Sequence, residues 1–231
     1  MIYLILYFIN GALTIFAEHI EFRMLMYVSK VLMMPLLGVY FYTKTKKLKE
    51  YRHMYLALFF SWWGDIFLMF PRSEYDPANA KLLFICGLVS FLIAHVNYII
   101  YFFREIKDQP KATVIIESPY LIIPFLLLGI SLLVLLFPTL GPMKLPVTVY
   151  TIVIISMLIM AFNRKDLVVP VSFTWVFAGA LFFVFSDSCI AINLFYYPFA
   201  GARAVIMATY IIAQYLIVQG VLKQIQSNKL V

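Results

Sequence analysis

An all-α bundle of membrane-spanning helices is the fold class that this sequence predicts, and three observations predict it. Of the 231 residues, 64% are hydrophobic and only 13% charged, about half the charged fraction of an average soluble domain. The mean hydropathy is +0.95. The apolar residues fall in long runs, which selects helices over a barrel, since backbone polar groups in hydrocarbon must find their partners inside the segment.

Eight runs are long enough, at about 2–17, 24–42, 53–70, 81–103, 119–137, 145–162, 170–193 and 204–222. Each approaches the ~20 residues that a helix needs to cross about 30 Å of hydrocarbon. The first has no basic stretch before it and no small-residue cleavage site after it, so it reads as a retained helix rather than a signal peptide. The connections are short and carry turn chemistry at Pro71, Asp76-Pro77, Pro138, Gly141-Pro142 and Pro198. With no linker or extramembrane domain in view, residues 1–231 read as a single transmembrane domain, so any chemistry happens within or at the edge of the bilayer.

Basic residues orient the chain. With eight spans, one side receives Lys44, Lys46, Lys47, Lys49, Arg52, Arg104, Lys107, Lys111, Arg164, Lys165, Lys223 and Lys229. The other receives Arg23, Arg72, Lys81, Lys144 and Arg203. The richer side faces the cytoplasm, which places both termini inside. The formal charge of +7 then reflects loops facing anionic lipid, and no nucleic-acid partner is expected. Cys86 and Cys189 lie within apolar runs and read as free thiols. The expected location is an integral, multi-pass position: the inner membrane in a bacterium, an endoplasmic-reticulum-type membrane in a eukaryote.

Against this background the intramembrane polar residues stand out. Asp65 lies in Phe60-Ser61-Trp62-Trp63-Gly64-Asp65 and Asp187 in Phe185-Ser186-Asp187, each behind a small residue. A carboxylate at a helix centre in hydrocarbon costs roughly 2.5–3.5 kcal/mol on insertion scales, so such residues turn inward toward a partner or a wet cavity. Asp65, Asp187 and Lys30 fall at one depth in the outer half, roughly 8–9 Å from the outer ends of their spans. His95 lies nearer the midplane, on a stripe Gly87–Phe91–His95–Tyr98 of helical spacing. Tyr210 and Gln214 share a face one turn apart. Each has a structural reading too. Lys30 can snorkel to headgroups, His95 can be a packed interior histidine, and Tyr210 and Gln214 can be interhelical glue. A salt bridge from Lys30 would account for one aspartate and leave the other unexplained.

Two carboxyl groups in one low-dielectric hollow do not both ionise, which leaves an acid and a base side by side. The reaction classes that fit are acid-assisted hydrolysis of an ether, acetal or amide, and proton-coupled transport. A histidine-based zinc site is disfavoured, because His19 and His53 are expected at opposite faces of the membrane. The chain has no Gly-x-Ser-x-Gly, Gly-rich phosphate loop or Cys-x-x-Cys.

The ordered set of motifs resembles a known family. Ala57-Leu58-Phe59-Phe60-Ser61-Trp62-Trp63-Gly64-Asp65-Ile66-Phe67-Leu68-Met69 is followed by Phe84, Gly87, Phe91, His95 and Tyr98, then by Gly179-Ala180, Phe182, Ser186-Asp187, Tyr210 and Gln214. This series is similar to the YhhN family of membrane proteins, the lysoplasmalogenases, from about the second span to the eighth. Lys30-Val31-Leu32-Met33-Met34-Pro35 resembles the family's lysine–proline stretch, with Val31 standing where proline is expected. The resemblance implies hydrolysis of the vinyl-ether bond of a lysoplasmalogen, a lysophospholipid taken from the bilayer. The products would be a fatty aldehyde and glycerophosphocholine or glycerophosphoethanolamine. On that reading Asp65 and Asp187 are an acid/base pair, with either as the acid. Lys30 holds the phosphate or tunes a carboxylate, His95 and Tyr98 orient water or the ether oxygen, and Tyr210 and Gln214 complete a polar wall. No metal or cofactor is required.

Two other classes use the same residues. A proton-coupled transporter of small molecules or lipids would employ Asp65, Asp187, His95 and Lys30 as a relay and would be expected to break spans at midplane, where Pro35 is the one strong candidate. An intramembrane aspartyl protease would need Gly-x-Gly-Asp where this chain has Trp62-Trp63-Gly64-Asp65.

Overall fold

The computed structural model describes residues 1–69 and 77–229; the expected turn residues Pro71 and Asp76, and Arg72 of the charge count, lie outside the described residues. Every described regular element is helical: α1 (Ile2–His19), α2 (Arg23–Thr45), α3 (Arg52–Met69), α4 (Pro77–Ile106), a one-turn α5 (Val114–Glu117), α6 (Ile123–Leu136), α7 (Lys144–Phe162), α8 (Pro170–Ala191) and α9 (Ala202–Asn228). Short 3-10 turns at Pro119–Ile122 and Gly141–Met143 lead into α6 and α7, and a π-helical turn at Ile192–Tyr196 ends α8. The eight expected runs each contain one long helix.

Seven of the described helices are long and apolar enough to cross a membrane. The expected third span, α3, has 18 residues but is not among them, because Arg52, His53 and Asp65 dilute its apolar run. That α3 crosses as an eighth span, and that both termini face the cytoplasm, are therefore proposals.

The chain forms two compact units, Met1–Tyr98 and Ile99–Val231. In the first, α1 packs on α2 and α2 on α3. The buried residues of α1 are Tyr7, Asn10, Gly11, Thr14 and Ala17, a three-and-four spacing that puts small and polar groups on one face. Small residues let helices approach, and polar ones bond across the gap, where lipid supplies neither water nor a hydrophobic drive. Thr14 Oγ1 donates to its own Asn10 carbonyl at 2.9 Å and meets Ser29 Oγ of α2 at 2.9 Å. Asn10 Nδ2 donates to the Ser29 carbonyl. Pro35 sits inside α2, which runs on to Thr45 and ends at Lys46 with φ 53°.

In the second unit α6 packs on α7, α7 on α8, and α8 most extensively on α9. Gly179 permits that last approach: a Cβ there would stand 2.9 Å from the Ala213 carbonyl oxygen and 2.9 Å from the Ile217 nitrogen. Helix α6 exposes Leu126, Leu127, Leu128, Ile130, Val134 and Leu135, a largely apolar surface suited to lipid contact, and the exposed Ser131 hydroxyl among them is satisfied by the Leu128 carbonyl at 2.9 Å.

A polar latch closes one end of this unit. Arg164, just past α7, is fully buried. Its Nε donates to Glu105 Oε2 at 2.8 Å and its Nη2 to Ser172 Oγ at 2.8 Å, with the guanidinium 5.3 Å from the Phe102 ring centroid. Asn163 Oδ1 accepts from the Ile115 N–H at 3.0 Å, and Gln224 Oε1 from the Val169 N–H at 2.9 Å. The ends of α4, α7, α8 and α9 and the start of α5 are thereby joined, and two backbone donors near helix ends gain acceptors. Arg164→Met should destabilise the protein by ~3–5 kcal/mol, because Glu105 would be left buried without its counter-charge, whereas the double variant Glu105→Met/Arg164→Met should recover most of that loss. Thermal unfolding in detergent measures both.

Candidate functional site

In the first unit the site is built around Asp65, which is 4% exposed in α3. Gly64 explains the small residue before it: a Cβ there would lie 2.5 Å from ring carbons of Phe91 on α4, so only glycine lets that ring lie against α3. Phe91 is one turn from His95, and this contact sets the register of α4 beside α3. His95 and Tyr98 are both fully buried. On the other flank, Trp62 Nε1 donates to the Val31 carbonyl of α2 at 2.8 Å. Trp62 is one turn before Asp65, and Val31 directly follows Lys30.

Tyr7 of α1 is fully buried, and Asp65 and Tyr98 lie close enough to act on it electrostatically. Tyr7, which the sequence did not single out, thus lies within electrostatic reach of both Asp65 and Tyr98. Lys30 makes its ion pair with Glu18 of α1, at 3.9 Å, the two side chains 12% and 8% exposed. Glu18, the carboxylate that Lys30 meets here, stands in the last turn of α1. His53 is bonded to Asn97, Nδ1 to Oδ1 at 2.9 Å, and His19 is exposed at the end of α1.

The second unit holds the other candidates. Asp187 is half-buried in α8, and its Oδ2 accepts a hydrogen bond from the Tyr150 hydroxyl of α7. Ser186 Oγ donates to the Ile206 carbonyl of α9 at 3.0 Å, which ties the residue before the aspartate to the neighbouring helix. Tyr210 and Gln214 of α9 are 4% and 0% exposed. Gln214 Nε2 donates to Tyr210 Oη at 3.4 Å, and the Tyr210 ring meets Phe183 edge-on at 5.5 Å. Phe183 is one turn before Asp187, so Tyr210 packs on the helix that carries the aspartate. Asp65 belongs to one unit and Asp187 to the other.

Three residues escaped sequence reasoning, for different reasons. Tyr7 and Glu18 sit on the α1 stripe with Asn10 and Thr14, a periodicity visible in an otherwise apolar run. Tyr150 carried no such signal: the chain has 16 tyrosines, and only the packing of α7 on α8 selects this one. Among the described residues no group of three or more His, Cys, Asp or Glu is placed to hold a metal ion. The cysteines Cys86 and Cys189 are free thiols.

Because Gly64 faces an aromatic ring, Gly64→Ala should cost ~1–3 kcal/mol through overpacking. Adding Phe91→Leu should restore much of that loss, while Gly38→Ala, with nothing within 4 Å of the new methyl, should leave the melting temperature unchanged or slightly raised. Thermal unfolding of the purified variants in detergent checks all three.

Over 40 residues the chain is 52% identical to human lysoplasmalogenase TMEM86A, a match that spans 17% of this chain and 17% of that protein. No solved structure matches it. The model of the YhhN family matches residues 25–221, a stretch that holds Lys30, Asp65, His95, Tyr98, Asp187, Tyr210 and Gln214 and leaves out α1. With the match extending over most of its length, the chain belongs to the YhhN family.

Proposed function

We propose that this protein is a membrane-embedded lysoplasmalogenase, which hydrolyses the vinyl-ether bond of a lysophospholipid by acid/base catalysis from Asp65 and Asp187. The observation that carries the reading is the buried carboxyl group of Asp65, within electrostatic reach of the buried Tyr7, in a chain of the YhhN family. The short likeness to a human lysoplasmalogenase supports the choice of bond.

The chemistry asks for few groups. A neutral carboxylic acid delivers a proton to the β-carbon of the vinyl ether, and the electron pair of the double bond becomes the new C–H bond. The resulting oxocarbenium ion is stabilised by the second carboxylate, which also takes a proton from the attacking water. The hemiacetal then collapses: its hydroxyl proton returns to the first carboxylate, the second carboxyl group passes its proton to the glycerol oxygen, the C–O bond breaks, and the aldehyde and glycerophosphocholine or glycerophosphoethanolamine leave. Water is the co-reactant, and no electron leaves or enters.

In this scheme Lys30 holds the substrate phosphate, and His95 and Tyr98 orient the water or the ether oxygen. Tyr210 and Gln214 supply the polar wall. Tyr150 fixes the orientation of the Asp187 carboxyl through its hydrogen bond. The hydrocarbon chain enters sideways from the lipid.

Asp65→Asn and Asp187→Asn should each lower aldehyde release from a lysoplasmalogen by at least about 100-fold, in the range general acid–base catalysis supplies, with little change in melting temperature. Tyr150→Phe should lower kcat by about tenfold with KM nearly unchanged, as befits a residue that orients a catalytic group. Near-normal turnover in either asparagine variant would refute the pair. Substrate flux in proteoliposomes without aldehyde release would favour a transporter instead.

A further inference from the structure

Pro35 stands inside α2, and proline has no backbone N–H to give to the carbonyl four residues earlier. That carbonyl belongs to Val31. It is the same carbonyl to which Trp62 Nε1 of α3 donates at 2.8 Å. The proline and the indole are thus joined through one oxygen. In hydrocarbon a carbonyl released by a proline is satisfied by a neighbouring helix or a side chain, and here an indole does it. An indole nitrogen only donates, so the direction of the bond is fixed. The ring is held in turn by its own helix, with its centroid 6.2 Å from that of Phe59 and 5.7 Å from that of Trp63. Both ends of the bond lie beside site residues. Val31 directly follows Lys30, and Trp62 stands one turn before Asp65.

We propose that Trp62 is a positioning residue of the site, and that Pro35 creates its anchor by freeing the Val31 carbonyl. This rests on the hydrolase reading above and adds two residues to which that reading gives no role. Lys30 and Asp65 lie on different helices, so their separation is set by how α2 packs on α3. In an unbroken helix the Val31 carbonyl would accept from the N–H at position 35, and an indole could join it only as a second donor. With Pro35 in place, the indole has no N–H at that position to compete with. One bond then ties the turn bearing Lys30 to the turn bearing Asp65. A phosphate held by the lysine and a vinyl ether facing the carboxyl group are thereby kept at a set separation. Such placement matters for rate, since a misplacement of about 1 Å can cost on the order of 100-fold. In this scheme the indole acts through Lys30 and Asp65 and takes no part in proton transfer.

The test is a double-mutant cycle on the full chain in detergent, with melting temperature and steady-state aldehyde release from a lysoplasmalogen read side by side. Trp62→Phe should lower the melting temperature, because the Val31 carbonyl loses its indole donor. It should also lower kcat by about tenfold with KM nearly unchanged. Pro35→Ala returns a backbone N–H to α2, so Trp62→Phe in that background should cost much less in melting temperature than it does in the wild type. The double variant should nevertheless stay about tenfold down in kcat, since its Val31 carbonyl is satisfied within α2 and no longer tied to α3. A merely structural bond would return activity along with stability. Trp63→Phe, at the neighbouring and more exposed indole, controls for lost aromatic packing and should leave kcat near the wild-type value. The inference is overturned by an equal loss of melting temperature in both backgrounds, or by a Trp62→Phe enzyme with wild-type kcat. It is overturned as well by a double variant whose kcat recovers with its stability, or by Trp63→Phe lowering kcat as much as Trp62→Phe. Aldehyde release by the wild type together with any of those results removes the positioning role and leaves the hydrolase. A wild type that releases no aldehyde removes the hydrolase and the positioning role with it, and the stability cycle alone then decides whether proline and indole are coupled.

Discussion

Inside a membrane a polar side chain must find its partner within the protein, because hydrocarbon offers none, and this constraint organises much of the chain. Helices α1 and α2 meet through Asn10, Thr14 and Ser29. Helices α2 and α3 meet through an indole and a carbonyl, and α7 and α8 through a phenol and a carboxyl group. In water each of these bonds would be exchanged for one to solvent at little cost. In lipid they decide which helix faces which.

The same constraint separates two kinds of buried charge. Arg164 and Glu105 form a tight contact, with Ser172 taking a further guanidinium donor and an aromatic ring covering it. That geometry is closed and serves the fold, joining helix ends that would otherwise fray. Lys30 and Glu18 are nearly as withdrawn and stay apart. Tight pairing repays desolvation, and the more open contact repays less of it.

Packing of the apolar residues serves the placement of the polar ones. Gly64 admits the Phe91 ring against α3, and that contact sets the register of His95 and Tyr98. Gly179 admits the backbone of α9 against α8, which allows Phe183 to meet Tyr210 one turn from Asp187. The glycine directly precedes Asp65 in the first unit and stands two turns before Asp187 in the second, since helices must come close before their polar groups can reach.

From sequence alone came the all-helical class, the positions of the long helices and most of the residues assigned to the site. These depend on hydropathy over windows of about 20 residues and on the rarity of a charge in an apolar run, both of which are local properties. The family likeness was legible for the same reason, through short ordered motifs such as Trp62-Trp63-Gly64-Asp65. Partnership was not legible. That Lys30 meets Glu18, that Tyr7 stands by Asp65, that Tyr150 holds Asp187, and that Arg164 is buried rather than solvated in a loop are decided by which helix faces pack together. Contacts between residues from 12 to 59 positions apart, neither on its partner's helix, leave no mark in the hydropathy of either segment, because only the folded chain brings them within reach.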